Sequence, residues 1–179
     1  INLYGLETPR AATVCDWVKP FSYYLDILQT RLGINTVRLP FSHDYIETGD
    51  FSKMDEIVSY CQTHNISVIL DWHRTESTHQ GFSPNSSIPL YHFVIDWLQL
   101  IERYYHFSVV AGIGFFNEYQ GDDLQFVLEY STRAIRAIES IFPHRTYYFV
   151  GCRRWSGDCS GMGALMTLPE WPRISVSYT

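Results

Sequence analysis

Few residue patterns in this chain could do chemistry, and the clearest is Asn117-Glu118. It closes the apolar run Val109-Val110-Ala111-Gly112-Ile113-Gly114-Phe115-Phe116. A buried amide and carboxylate cost stability unless something uses them. A carboxyl partly shielded from water keeps its proton to higher pH and can act as a general acid, so Glu118 is the candidate catalytic group. Asn117 beside it can donate a hydrogen bond to a substrate hydroxyl. Two earlier apolar runs also end in polar groups, Arg38 in Val37-Arg38-Leu39-Pro40 and Asp71-Trp72-His73 after Val68-Ile69-Leu70. In a two-residue alternation Arg38 points opposite to Val37 and Leu39, where it serves either a core ion pair or a ligand. One Asp and one His without a third ligand at fixed spacing make a poor metal site, so neither a metal nor any other cofactor is expected. No Gly-x-Ser-x-Gly elbow supports a serine nucleophile. Trp72, Tyr119 and Trp155 fall in segments after strands, where a flat ligand could lie against them, whereas Trp17 and Trp97 fall in helices.

These residues need elements to position them. The run at 109–116 is continuous and apolar, the pattern of a strand buried on both faces in a parallel sheet. Strand patterns at 1–7, 34–39, 66–71, 109–118, 146–150 and 173–179 alternate with helical patterns at 16–32, from 52, at 90–106 and at 122–142. Gly33 is placed to end the first helix, Ser52 to cap the second, and Pro40 to close the second strand. Residues 72–89 and 151–172 read as long loops, and loops of that size usually carry function. Alternation of strand and helix implies a parallel sheet. A doubly wound sheet would favour a glycine-rich turn after the first strand, and Glu7-Thr8-Pro9-Arg10 is not one. Polar groups gather instead at the ends of several different strands, as they do in a (β/α)8 TIM barrel. The fold class is therefore α/β, an incomplete barrel of about six β/α units. At 179 residues this is one domain; a whole barrel of roughly 250 residues would need two more units.

Composition excludes other classes. The net charge is −6 and no Lys/Arg run is present, which argues against nucleic acid or an anionic membrane as partner. No apolar stretch approaches the ~20 residues of a membrane span. Cys152 and Cys159 flank an irregular loop and could pair, while Cys61 lies on the apolar face of a helix. Asn65-Ile66-Ser67 and Asn85-Ser86-Ser87 match the glycosylation sequon, which fits an extracellular, secreted protein.

The three motifs together resemble glycoside hydrolase family 5, the cellulase-like retaining enzymes with a (β/α)8 fold. They are Gly33-Ile34-Asn35-Thr36-Val37-Arg38-Leu39-Pro40, Val68-Ile69-Leu70-Asp71-Trp72-His73 and Gly114-Phe115-Phe116-Asn117-Glu118. The resemblance runs over essentially the whole chain, from strand one to strand six. It implies that Glu118 is the acid/base, Asn117 holds the sugar 2-hydroxyl, Arg38 orients the nucleophile and His73 lines the subsite beside the scissile bond. It implies a β-linked glucan or mannan-type polysaccharide as substrate. The chain departs from the family's pattern in having Tyr119 where Pro usually follows the catalytic Glu. The family's nucleophilic Glu ends the seventh strand, so strands seven and eight are expected from further sequence or from a second chain. The alternative is a hydrolase-derived barrel without activity, with a structural or carbohydrate-binding role in an assembly.

Overall fold

The fold is given by a computed structural model, which describes residues 1–13, 16–79, 88–144 and 146–177. Five strands form one sheet: β1 (Thr36–Ser42), β2 (Ser67–Arg74), β3 (Val110–Phe115), β4 (Tyr147–Gly151) and β5 (Ile174–Ser177). All four pairings are parallel, and the spatial order β1-β2-β3-β4-β5 is the sequence order. A doubly wound sheet reverses direction at a switch point. Here the strands add on one side only, as staves of a barrel do.

Helices α1 (Phe21–Leu32), α3 (Ser52–His64), α4 (Leu90–Tyr104) and α5 (Leu124–Ile141) alternate with the strands, and a short α2 (His43–Glu47) follows β1 directly. Gly33 ends α1 in the left-handed conformation, its N–H returning to the Gln29 carbonyl at 3.1 Å. The second helix starts differently from expectation. Phe51 occupies the cap position without a side-chain bond, and Ser52 is the first helical residue, its own N–H donated to Asp50 Oδ1. Alternate residues of each strand face the helices: Val37, Leu39 and Phe41; Val68, Leu70 and Trp72; Ile113 and Phe115; Tyr148 and Val150. They meet Met54, Ile57, Val58 and Cys61 on α3, Phe93 and Trp97 on α4, and Val127, Ile135 and Ile138 on α5 in one buried core.

Several boundaries moved, β2 among them, which runs to Arg74 through the first residues of the segment expected as a loop. The expected first strand is a single bridge, Asn2 to Arg38, after which Gly5 at φ 140° turns the chain away. Pro40 lies within β1 instead of closing it. Arg38 directs its N–H and C=O to Ile1 and Leu3, so Pro40, two residues on, turns its donorless nitrogen to the same side, past the point where that neighbour has departed. The first helix starts only after Pro20, five residues later than its apolar pattern suggests. Cys152 and Cys159 form a disulfide and Cys61 is a buried free thiol. Of the two sequons, Asn65 is exposed at the end of α3, and Asn85 lies outside the described residues. No described helix is long and apolar enough to cross a membrane.

The far end of the sheet is tied by Glu139 of α5. Arg173 grips it with two bonds of 2.7 and 2.9 Å, the His144 N–H donates to it at 3.0 Å and the Tyr148 hydroxyl at 2.7 Å. Burial alone would push this carboxyl up, but the four donors prevail and hold it at about 2, against an ordinary 4.5. A depressed carboxylate contributes stability that is complete above its unfolded pKa and is lost as pH falls through the folded one. Between about pH 4.5 and about pH 2 the full-length protein is therefore expected to lose roughly 3 kcal/mol from this group. Glu139→Gln should flatten that part of the stability–pH profile in urea titrations; an unchanged acid limb would show that the clamp contributes nothing.

Candidate active site

The C-terminal ends of β1, β2 and β3 carry a closed circuit of hydrogen bonds. Arg38 stands in register with Ile69, two residues short of Asp71, and reaches along the inner face of the sheet to it. Its Nη2 donates to Asp71 Oδ1 at 2.8 Å and to Asn117 Oδ1 at 2.8 Å. Asp71 Oδ2 lies 2.6 Å from His73 Nδ1, and His73 Nε2 lies 3.1 Å from Asn117 Nδ2. The circuit admits one consistent assignment of protons. A carboxylate only accepts, so Nδ1 carries the hydrogen; Nε2 is then the acceptor and the Asn117 amide nitrogen the donor. That leaves one Asn117 N–H outside the circuit, and Arg38 retains the donors on Nε and Nη1. Asp71 has both oxygens engaged, and its side chain is only 1% exposed against 23% for Arg38.

The sequence provides for this locally. Asp71 pairs in register with Gly114 of β3, and a Cβ on Gly114 would stand 2.5 Å from Asp71 Oδ1. Glycine at that position is the space in which the carboxylate sits. Beyond β3 the backbone breaks the strand alternation, because Phe116 and Glu118 both take left-handed φ values, 60° and 48°. Phe115 and Phe116 consequently both pack on Phe93 of α4, at 5.5 and 5.1 Å, and Asn117 turns inward. Left-handed backbone at bulky residues is strained and points to a functional constraint. Glu118 follows on the same turn, partly buried, and makes no side-chain hydrogen bond or ion pair with another described residue.

The aromatic residues divide. Trp155 is 51% exposed in the segment after β4. Its backbone N–H bonds the Tyr119 carbonyl at 2.8 Å, and Arg154, Trp155 and Ser156 are all left-handed. The Cys152–Cys159 disulfide and the bonds of Arg153 and Arg154 to Asp122 hold this turn. Trp72 and Tyr119 do not present a face to a ligand, contrary to expectation. Trp72 is fully buried against Phe93 on the helix side, its Nε1 donated to Asp96. Tyr119 is buried in a stack with Phe126. The sequence gives no hint of Tyr4, which is 42% exposed and edge-on to His73 at 5.7 Å.

Asp71→Asn should open the circuit at a cost of ~2–4 kcal/mol, measured by urea denaturation of the full-length protein. Gly114→Ala should act in the same direction by displacing the carboxylate. Ring-nitrogen NMR is expected to find His73 as the Nδ1–H tautomer in the wild type and a mixture in both variants; a tautomer unchanged in both would disprove the assignment.

Known proteins resemble this chain in sequence and in fold. The family model described as cellulase (glycosyl hydrolase family 5) matches residues 1–178. An endoglucanase of Paenibacillus polymyxa is 28% identical over 140 residues, 68% of this chain and 35% of that protein. A cellulase solved as an inhibitor complex superposes with a TM-score of 0.83 at 20% identity, covering 99% of this chain and 61% of its own. An endocellulase of Pyrococcus horikoshii in complex with cellotetraose gives 0.78 at 20% identity, covering 97% and 60%. The chain thus spans about a third of that curated relative (35%) and 60–61% of these two solved structures.

Proposed function

The chain belongs to the cellulase family, glycosyl hydrolase family 5, and we propose that it forms the part of a retaining β-glycosidase that binds a β-linked glucan and protonates its glycosidic oxygen. The observation that carries this reading is the circuit at the strand ends. It engages both oxygens of Asp71 and leaves one N–H of Asn117, the residue before Glu118, uncommitted. In the first step Glu118 gives its proton to the leaving oxygen as the glycosidic bond breaks, and in the second it takes a proton from the attacking water. Asn117, its amide fixed by Arg38 and His73, donates to the hydroxyl next to the reacting carbon. A retaining enzyme needs a second carboxylate about 5 Å from the acid. Asp71 is unsuited to that task, since its side chain is buried and both its oxygens face protein donors, not an open site. The chain covers only 60–61% of the similar solved cellulases, so this reading requires a nucleophile from sequence other than these 179 residues, and the spare donors of Arg38 suit the task of orienting that carboxylate.

A glucan is favoured over a mannan because the similar endoglucanase and the cellotetraose complex are both glucan-directed. Trp155 is the residue positioned to stack on a sugar ring. Secretion is supported by the disulfide and by the exposed sequon at Asn65. The second reading, a binding barrel without turnover, rests on Tyr119 standing where the family's Pro would set the turn that aims Glu118.

Reducing-sugar release from soluble β-glucan by the full-length product decides between the two. Glu118→Gln is expected to lower kcat/KM by ~10²–10⁴-fold while cellotetraose binding persists. Wild-type binding with no turnover on any β-glucan would establish the second reading instead. Trp155→Ala is expected to weaken cellotetraose binding by about tenfold with kcat little changed; unaltered binding would remove Trp155 from the sugar-binding surface.

A further inference from the structure

On the opposite face of β2 a second histidine is oriented by a buried carboxylate. His43 opens α2, and its Nδ1 lies 2.6 Å from Asp96 Oδ2 on α4. The Asp96 side chain is 3% exposed, and the same oxygen accepts Trp72 Nε1 at 3.2 Å. The carboxylate requires a hydrogen on Nδ1 and favours the protonated ring, so Nε2 offers its lone pair to an ion that displaces the second proton. Nε2 stands 3.9 Å from Glu47 Oε1, one helical turn along α2. His92, in the first turn of α4, brings its ring to 5.5 Å from that of His43, at 69°. One ligand atom from each of His43, Glu47 and His92 lies within 4.8 Å of the others. No other three such side chains approach one another this way among the described residues.

We propose that His43 Nε2, Glu47 and His92 bind a divalent transition-metal ion of the zinc class, with Asp96 as the outer carboxylate that sets the His43 tautomer. Two imidazoles and a carboxylate suit zinc, and a ligating histidine whose other nitrogen is held by a carboxylate is the usual companion of such a site. Metal–ligand bonds of about 2.0–2.1 Å put the ligand atoms of a tetrahedron roughly 3.4 Å apart. The spacing here is wider by an amount that a change of rotamer closes, and Glu47, at 63% exposed, is free to make it. An ion pair of protonated His43 with Glu47 would account for those two residues but gives His92 no part. The ion would staple α2 to α4, the two elements beside the strand ends of β1 and β2, without touching the inner circuit.

The test is calorimetric titration of Zn2+ into chelator-stripped full-length protein near neutral pH, with Co2+ absorption reporting the ligand geometry. One equivalent should bind with micromolar or tighter affinity and raise the melting temperature. Glu47→Ala, at the surface, and His92→Ala, half-buried, should each weaken binding at least tenfold while β-glucan hydrolysis is unchanged, and Asp96→Asn should weaken it by ~10–100-fold. Failure to take up one equivalent, or an isotherm that His92→Ala leaves unaltered, would overturn the proposal. Neither result bears on whether Glu118 is the acid.

Discussion

The arrangement at the strand ends depends on how one buried carboxylate is satisfied. Asp71 is withdrawn from water, and an unpaired charge there would be severely penalised. Its two oxygens receive Arg38 from one neighbouring strand and His73 from its own, and the bonds those residues make onward to Asn117 join the third. This requires β1, β2 and β3 to hold one register, with Arg38 two residues short of Asp71 and Gly114 directly opposite it. A one-residue slip of β1 or β2 would turn that strand's members of the circuit to the helix face. Electrostatics and strand register are therefore the same constraint seen from two sides.

Much of this was legible in the chain. Branched apolar runs ending in polar groups identified β1 to β3, and the alternation of Val37, Arg38 and Leu39 turned Arg38 inward. The same alternation, applied to Asp71-Trp72-His73, turns Trp72 outward, and there the stacking role assigned to it conflicts with its parity. Tyr119 was harder. Two left-handed residues, Phe116 and Glu118, interrupt the period of two, and nothing in Phe-Phe-Asn-Glu announces a positive φ. Without that break, parity would have pointed Phe116 inward and Asn117 to the helices.

Boundaries failed for local reasons that only neighbours decide. Pro40 can stay in β1 because the adjacent segment leaves at Gly5, a fact of packing and not of the proline. Residues that meet from distant parts of the chain were also invisible: Tyr4 against His73, and His92 against His43. The Cys152–Cys159 pairing was accessible because the two are near in sequence. What it fastens, three consecutive left-handed residues that leave the Trp155 ring exposed, was not.

The end of β2 uses one chemical device on both of its faces. Inward, Asp71 fixes the Nδ1–H of His73 and so aims Nε2 at Asn117; outward, Asp96 fixes the Nδ1–H of His43 and aims Nε2 toward Glu47. Trp72, the residue between Asp71 and His73, binds Asp96 through its indole N–H, so the two systems share a strand though they share no atom. The inner device is surrounded by further donors and acceptors that use up its valences, which makes it rigid and prepares Asn117 for a ligand. The outer one stops at a partly exposed imidazole whose Nε2 faces only Glu47, at 3.9 Å. Identical second partners thus produce a fixed amide on one side and an open ligand atom on the other. The difference comes from what lies beyond the histidine, not from the histidine itself.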